Sequence, residues 1–227
     1  MYGMYGYGYG YGFDPTIILV LIGVALSLWA QGRVNSTFSR YSRVRSMTGM
    51  TGAEAARRLL NAQGIYDVTV QPIAGELTDH YDPRTKTVNL SQSVYGATSV
   101  AAIGVAAHEC GHAMQDNEGY APLRFRSALV PAANFGSKLS WPLILLGLVF
   151  GGLGSPLVEI GILMFSLAVL FQLVTLPVEY NASARAVRLL DSQGILAGEE
   201  VSGTRKVLNA AALTYVAAAA TSILQLL

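Results

Sequence analysis

From Leu139 to Pro177 the chain runs for 39 residues with Glu159 as its sole charge. That is about twice the ~20 apolar residues needed to cross a bilayer. Its middle, Gly151-Gly152-Leu153-Gly154-Ser155-Pro156, is a cluster of turn formers, so the stretch reads as two spans folded into a helical hairpin. Two further apolar runs flank the polar sequence, residues 16–30 and 207–227. The first reaches a full crossing only with Phe13 and Pro15 at the interface. The last is rich in Ala, whose weak preference for insertion leaves a buried core helix as its competing reading. Only 13% of the 227 residues are charged, against roughly 25% in an ordinary soluble domain, which excludes a simple water-soluble globule.

Lys and Arg set the orientation, because cytoplasmic loops near spans carry an excess of them. All 15 lie in residues 31–138 and 178–206. Four crossings put both of those segments on one side, which the charge bias makes cytoplasmic. The formal net charge of +1 then divides by side: 15 basic against 12 acidic residues inside, a net +3, with Asp14 and Glu159 outside. A near-neutral whole-chain balance argues against a nucleic-acid partner. A single cysteine, Cys110, allows no intrachain disulfide and gives no sign of an oxidising compartment. The expected division is a Tyr-Gly-rich, disordered extracytoplasmic tail over 1–15, a first span over 16–32, a cytoplasmic region over 33–138, the hairpin over 139–177, a cytoplasmic helix over 178–206 and a last span over 207–227. The tail lacks the basic start of a signal peptide, so no cleavage is expected.

Within the cytoplasmic region, residues 51–63 read as a helix opened by a capping box, Thr51 with Glu54, and closed at Gly64. The stretch from Ala56 to Ile65 resembles that from Ala186 to Ile195, the same way of ending an amphipathic helix at a left-handed glycine. A strand is expected near Val68 to Val70, and residues 77–91 read as a β-hairpin around Asp82-Pro83-Arg84-Thr85-Lys86. The run from Thr87 to Leu90 is a candidate edge strand for aligning an extended peptide. Residues 99–117, free of Pro and rich in Ala, form a helix of about five turns.

That helix carries His108-Glu109-Cys110-Gly111-His112, an HExxH motif. Residues four apart share a helix face, so both imidazoles can reach one Zn²⁺ while Glu109 stands beside them as general base. Placing two histidines and a glutamate among alanines is costly unless a metal or partner satisfies them. A catalytic zinc site needs a third protein ligand and an open position. No histidine follows His112, so the third ligand is a carboxylate or the upstream His80. Glu179 is the stronger candidate, directly after the third span and on the same side, and a ligand from a second helix would close a His₂Glu site of the gluzincin kind. Asp116, two turns beyond His108, is the alternative. Cys110 points off the ligand face.

AAHECGHAMQD, LTDHYDPRTKTVNLS, the Thr-Gly-Ala-Glu helix and VEYNASARA together resemble the YugP-like membrane zinc metallopeptidases of bacteria, from Thr51 onward across nearly all the chain. The family is more distantly similar to the HtpX heat-shock proteases and the CAAX prenyl proteases. In those relatives a Glu-x-x-Ala-Asp stretch supplies the third ligand, and Glu179-Tyr180-Asn181-Ala182-Ser183 aligns with it. Ser183 stands where they carry Asp, which opens the question of what orients His108. The resemblance implies a mainly α membrane protein, with four transmembrane helices and a cytoplasmic α+β gluzincin-like head. It implies a zinc-dependent metalloendopeptidase of a bacterial plasma membrane, with Zn²⁺ as cofactor and a peptide or membrane-protein substrate, in membrane-protein quality control. His108, His112 and Glu179 would hold the metal, Glu109 would be the general base, and His80 or Tyr81 would donate to the oxyanion or contact substrate. Accessory proteins and homo-oligomerisation stay open. The competing class is a non-catalytic scaffold braced by zinc.

Overall fold

The computed structural model describes residues 16–227; the Tyr-Gly tail expected over 1–15 lies outside the described residues. The order is α1 (Thr16–Ser42), α2 (Gly52–Ala62), β1 (Thr69–Ile73), β2 (His80–Asp82), β3 (Thr87–Ser91), α3 (Gln92–Tyr95), α4 (Val100–Asn117), α5 (Ala121–Gly151), α6 (Pro156–Ser192) and α7 (Glu199–Leu226). The protein is mainly helical with one small sheet. Among the described residues, α1, α5, α6 and α7 are long and apolar enough to cross a membrane.

These four helices expose large apolar side chains that a soluble protein would bury, among them Leu28 on α1, Val149 on α5 and Leu163 on α6. Contiguous apolar surface of this kind is what a bilayer covers. α5 and α6 form the expected hairpin. Gly152 turns the chain with φ 70°, and Ser155 caps α6 by accepting from the Leu157 N–H. Pro156 opens the helix, where its missing N–H costs nothing. The hairpin helices run well past the apolar stretch: α5 begins at Ala121, α6 ends at Ser192, and Pro131, Pro142 and Pro177 lie within them.

The head is built around α4. Its N-cap Ser99 accepts from the Ala102 N–H, and the helix is buried on nearly all sides, with Ile103, Ala106, Ala107 and Cys110 fully inaccessible. The Cys110 thiol donates to the Ala56 carbonyl at 3.6 Å, away from the metal-ligand face, and burial pushes its pKa up. α2 shows the complete capping box, Thr51 side chain to Glu54 N–H and Glu54 side chain to Thr51 N–H. It ends as α6 does: Gly64 and Gly194 are left-handed, and the Ile65 and Ile195 N–H groups bond back to the Leu60 and Leu190 carbonyls at 3.0 Å.

The hairpin of β2 and β3 is antiparallel, His80 opposite Asn89. β3 is not an edge strand, however, because β1 pairs with it in parallel on its other side, Val70 opposite Val88, giving the order β1-β3-β2. Val88, Asn89, Leu90 and Ser91 are all buried, a burial pattern suited to a central strand rather than a solvated edge. β1 and β2 hold the free edges.

Candidate metal centre

Two helices of different origin meet at the site. α4 carries His108, Glu109 and His112; α6 carries Glu179 and Ser183. They come together because Gly111 lets the backbones touch. A Cβ at that position would lie 2.6 Å from the Ala182 carbonyl oxygen, closer than any real side-chain carbon sits. The contact occurs one residue from His112 and three from Glu179, so the close approach sets the reach of the ligands.

Both imidazoles turn Nε2 toward one carboxylate oxygen. Glu179 Oε2 lies 3.2 Å from His108 Nε2 and 3.5 Å from His112 Nε2, and the rings meet edge to face. The three ligand atoms all lie within 4.8 Å of one another. Donors about 2 Å from a tetrahedral ion would be separated by about 3.4 Å, so the two His–Glu distances suit one zinc ion. The outer nitrogens are held as well. His108 Nδ1 is 3.1 Å from Ser183 Oγ, and His112 Nδ1 is 3.0 Å from Gln115 Oε1. Gln115 is fully buried and locked in turn, donating from Nε2 to the Val178 carbonyl and to Asn181 Oδ1, both at 2.9 Å. With each Nδ1–H donated outward, each Nε2 presents its lone pair inward, the tautomer a metal requires.

Glu179 is 2% exposed, and its second oxygen, Oε1, pairs with Arg126 of α5 at 3.3 Å. Burial pulls the His112 imidazole down, but the Glu179 hydrogen bond and the charges of Glu109 and Glu179 outweigh it and hold its pKa above the ordinary 6.5.

Beside the cluster lies a cavity of about 270 Å³. Its walls include His108, Glu109, Glu179 and Ser183, together with Phe38 from α1 and Tyr215 from α7. Glu109 faces this space, and among the described residues nothing donates a hydrogen bond to its carboxylate.

The structure brings together His108, Glu109, His112 and Glu179, and it leaves Asp116 out. Asp116 Oδ2 accepts from the Tyr81 hydroxyl at 2.8 Å and from Lys86 Nζ at 2.7 Å, pinning the β-hairpin to α4. Tyr81 is thereby occupied, its pKa raised by burial and by Asp116. His80 lies on β2, exposed, with Nδ1 2.9 Å from the Thr78 carbonyl and Nε2 3.2 Å from the Asn89 amide. From the same segment it is Leu77 and Asp79 that line the cavity. Asp79 is fixed by the Ser91 N–H and hydroxyl; burial pushes its carboxyl up against those bonds. Sequence reasoning missed Arg126, Gln115 and Tyr215. A Gln three residues after the second motif histidine, on the helix face of both imidazoles, was the one usable signal.

Four helices long and apolar enough to cross a membrane, with two histidines of α4 facing a glutamate of α6, define a membrane metalloprotein. Residues 16–227 match the family described as "putative neutral zinc metallopeptidase", and the chain belongs to that family. It is 50% identical over 211 residues to the "Putative membrane protease YugP" of Bacillus subtilis (strain 168), covering 93% of each chain. No solved structure matches it. The protein is thus a multi-pass membrane metallopeptidase whose cofactor is zinc.

Proposed function

We propose that the protein is a gluzincin-type endopeptidase that hydrolyses peptide bonds of membrane-associated or misfolded proteins at the cytoplasmic face of a bacterial plasma membrane. The observation that carries this reading is the unpartnered Glu109 carboxylate facing a cavity whose wall also holds His108 and Glu179.

In this reading His108, His112 and Glu179 hold zinc, which supplies Lewis acidity and makes water acidic enough to attack near neutral pH. Glu109 accepts the proton of the attacking water and returns it to the leaving nitrogen. Tyr215, which lines the cavity with Glu179 and Glu109, is the hydroxyl we assign to donate to the developing oxyanion. Ser183 and Gln115 orient the imidazoles. His80 acts further out: an extended peptide adding to the free edge of β2 would run past it toward Asp79 and the cavity, main chain to main chain. The basic segments support the cytoplasmic orientation.

The test is peptide cleavage by detergent-purified wild type and Glu109→Gln, each with bound zinc quantified. The variant should keep its zinc and lose cleavage by about 10²-fold or more. If both proteins load zinc and neither cleaves a peptide or membrane substrate, zinc is bracing a scaffold instead.

A further inference from the structure

A second hollow, separate from the metal cavity and about 560 Å³ in volume, lies between α1 and α7. Arg33, Thr37 and Arg40 line it from α1, Lys206 and Asn209 from α7, and Tyr180 from α6. Among the described residues no carboxylate forms an ion pair with Arg33, Arg40 or Lys206. The neighbour recorded for Arg40 is the ring of Tyr41, 5.7 Å from its guanidinium. Three cations thus face one groove beside the Asn209 amide and the hydroxyl-bearing Thr37, Tyr41 and Tyr180, with no anion among the described residues paired to them.

The level of the groove indicates its ligand. α1 and α7 pack antiparallel: Thr221 Oγ1 donates to the Gly23 carbonyl at 3.0 Å, and Tyr41 packs against Gly203. The apolar run of α1 ends at Ala30 and that of α7 starts at Val207, so Arg33 and Lys206 stand where the two helices leave the hydrocarbon. Trp29, four residues before Arg33 and so on the same face, is 56% exposed and suited to the interfacial belt. Arg33 and Arg40 are two turns apart, about 10 Å along the helix, enough for two guanidiniums to grip one phosphodiester from different sides.

We propose that this groove binds the phosphodiester headgroup of an anionic membrane lipid, with Arg33, Arg40 and Lys206 as the phosphate contacts and the acyl chains lying along the exposed apolar face by Trp29. The site depends on the four-span architecture and not on catalysis.

Full-length protein would be purified in detergent and lipid retention measured by native mass spectrometry with phosphatidylglycerol, phosphatidylcholine or inorganic phosphate as the probe. Wild type should retain phosphatidylglycerol over phosphatidylcholine by about tenfold or more, as expected for several cations near one headgroup. Arg33→Gln/Arg40→Gln/Lys206→Gln should bring that ratio near one while keeping its zinc. A control removing the same charge elsewhere, Arg84→Gln/Arg124→Gln/Lys138→Gln, should keep the preference. Should the triple variant lose zinc, Arg33→Gln and Lys206→Gln are read singly, each expected to lower the ratio roughly fivefold. An unchanged ratio in the groove variants, or an equal loss in the control, overturns the proposal. So does saturation of the groove by inorganic phosphate as tightly as by lipid.

Discussion

Ser183 answers at the residue scale a question that the sequence raised. A hydroxyl 3.1 Å from His108 Nδ1 orients the imidazole without the negative charge of an aspartate. A neutral acceptor makes the ring a weaker electron donor to the metal than a carboxylate would. Ser183→Ala should lower zinc affinity by about 10- to 100-fold, read by chelator competition, with the helical circular dichroism unchanged. Glu179→Ala should lose most of its zinc, whereas Asp116→Ala should keep it and instead loosen the β-hairpin. Retention by the first and loss by the second would reverse the ligand assignment. That His108 and His112 share one face was legible in the sequence, because i,i+4 spacing on a helix needs no tertiary information; Glu179, on another helix, could be offered only as a candidate beside Asp116 and His80. Arg126 and Tyr215 were not, since their partners lie on another helix; Gln115 sits within reach of His112, but what locks it, the Val178 carbonyl and Asn181, comes from α6.

At the scale of elements, the site depends on how closely α4 and α6 approach. Gly111→Ala places a methyl against the Ala182 backbone, which has no rotamer to yield, so the helices must part. Overpacking of this kind costs about 1–3 kcal/mol. The expected outcome is a folded protein with weakened zinc binding, measured by thermal unfolding alongside metal content; wild-type zinc affinity would mean that the contact does not set ligand reach. The capped helices, the hairpin turn and the apolar runs could be read from local patterns. Two features could not. The parallel pairing of β1 with β3 joins segments separated by α-free chain in a register that no local signal encodes. Helices α1, α5 and α6 outrun their hydrophobic stretches, because hydropathy marks where lipid begins and backbone hydrogen bonding continues past it, through Arg124 and Arg126 in α5 and through Arg185 and Arg188 in α6.

For the whole molecule, the proposed topology of four spans with both basic segments on the cytoplasmic side puts the C-terminal end of α7 on the other. A topology reporter fused after Leu227 should behave as extracytoplasmic; cytoplasmic behaviour would mean that α7 does not cross. α7 is the span with the most buried window of the four, packing against α1, α4 and α6, and it brings Tyr215 to the cavity wall. This explains why its composition resembles a core helix as much as a membrane one: Ala212, Ala217 and Ala219 face protein, where small side chains permit close packing.

α6 is one continuous helix from Pro156 to Ser192, so the residue that completes the metal cluster is rigidly joined to a span. The histidines precede it by 71 and 67 positions, with the whole α5–α6 hairpin between. During synthesis the chain therefore carries an incomplete metal cluster until that hairpin has been made and has entered the bilayer. A metallopeptidase whose third metal-ligating side chain arrives with a span has its metal loading timed by its own biogenesis.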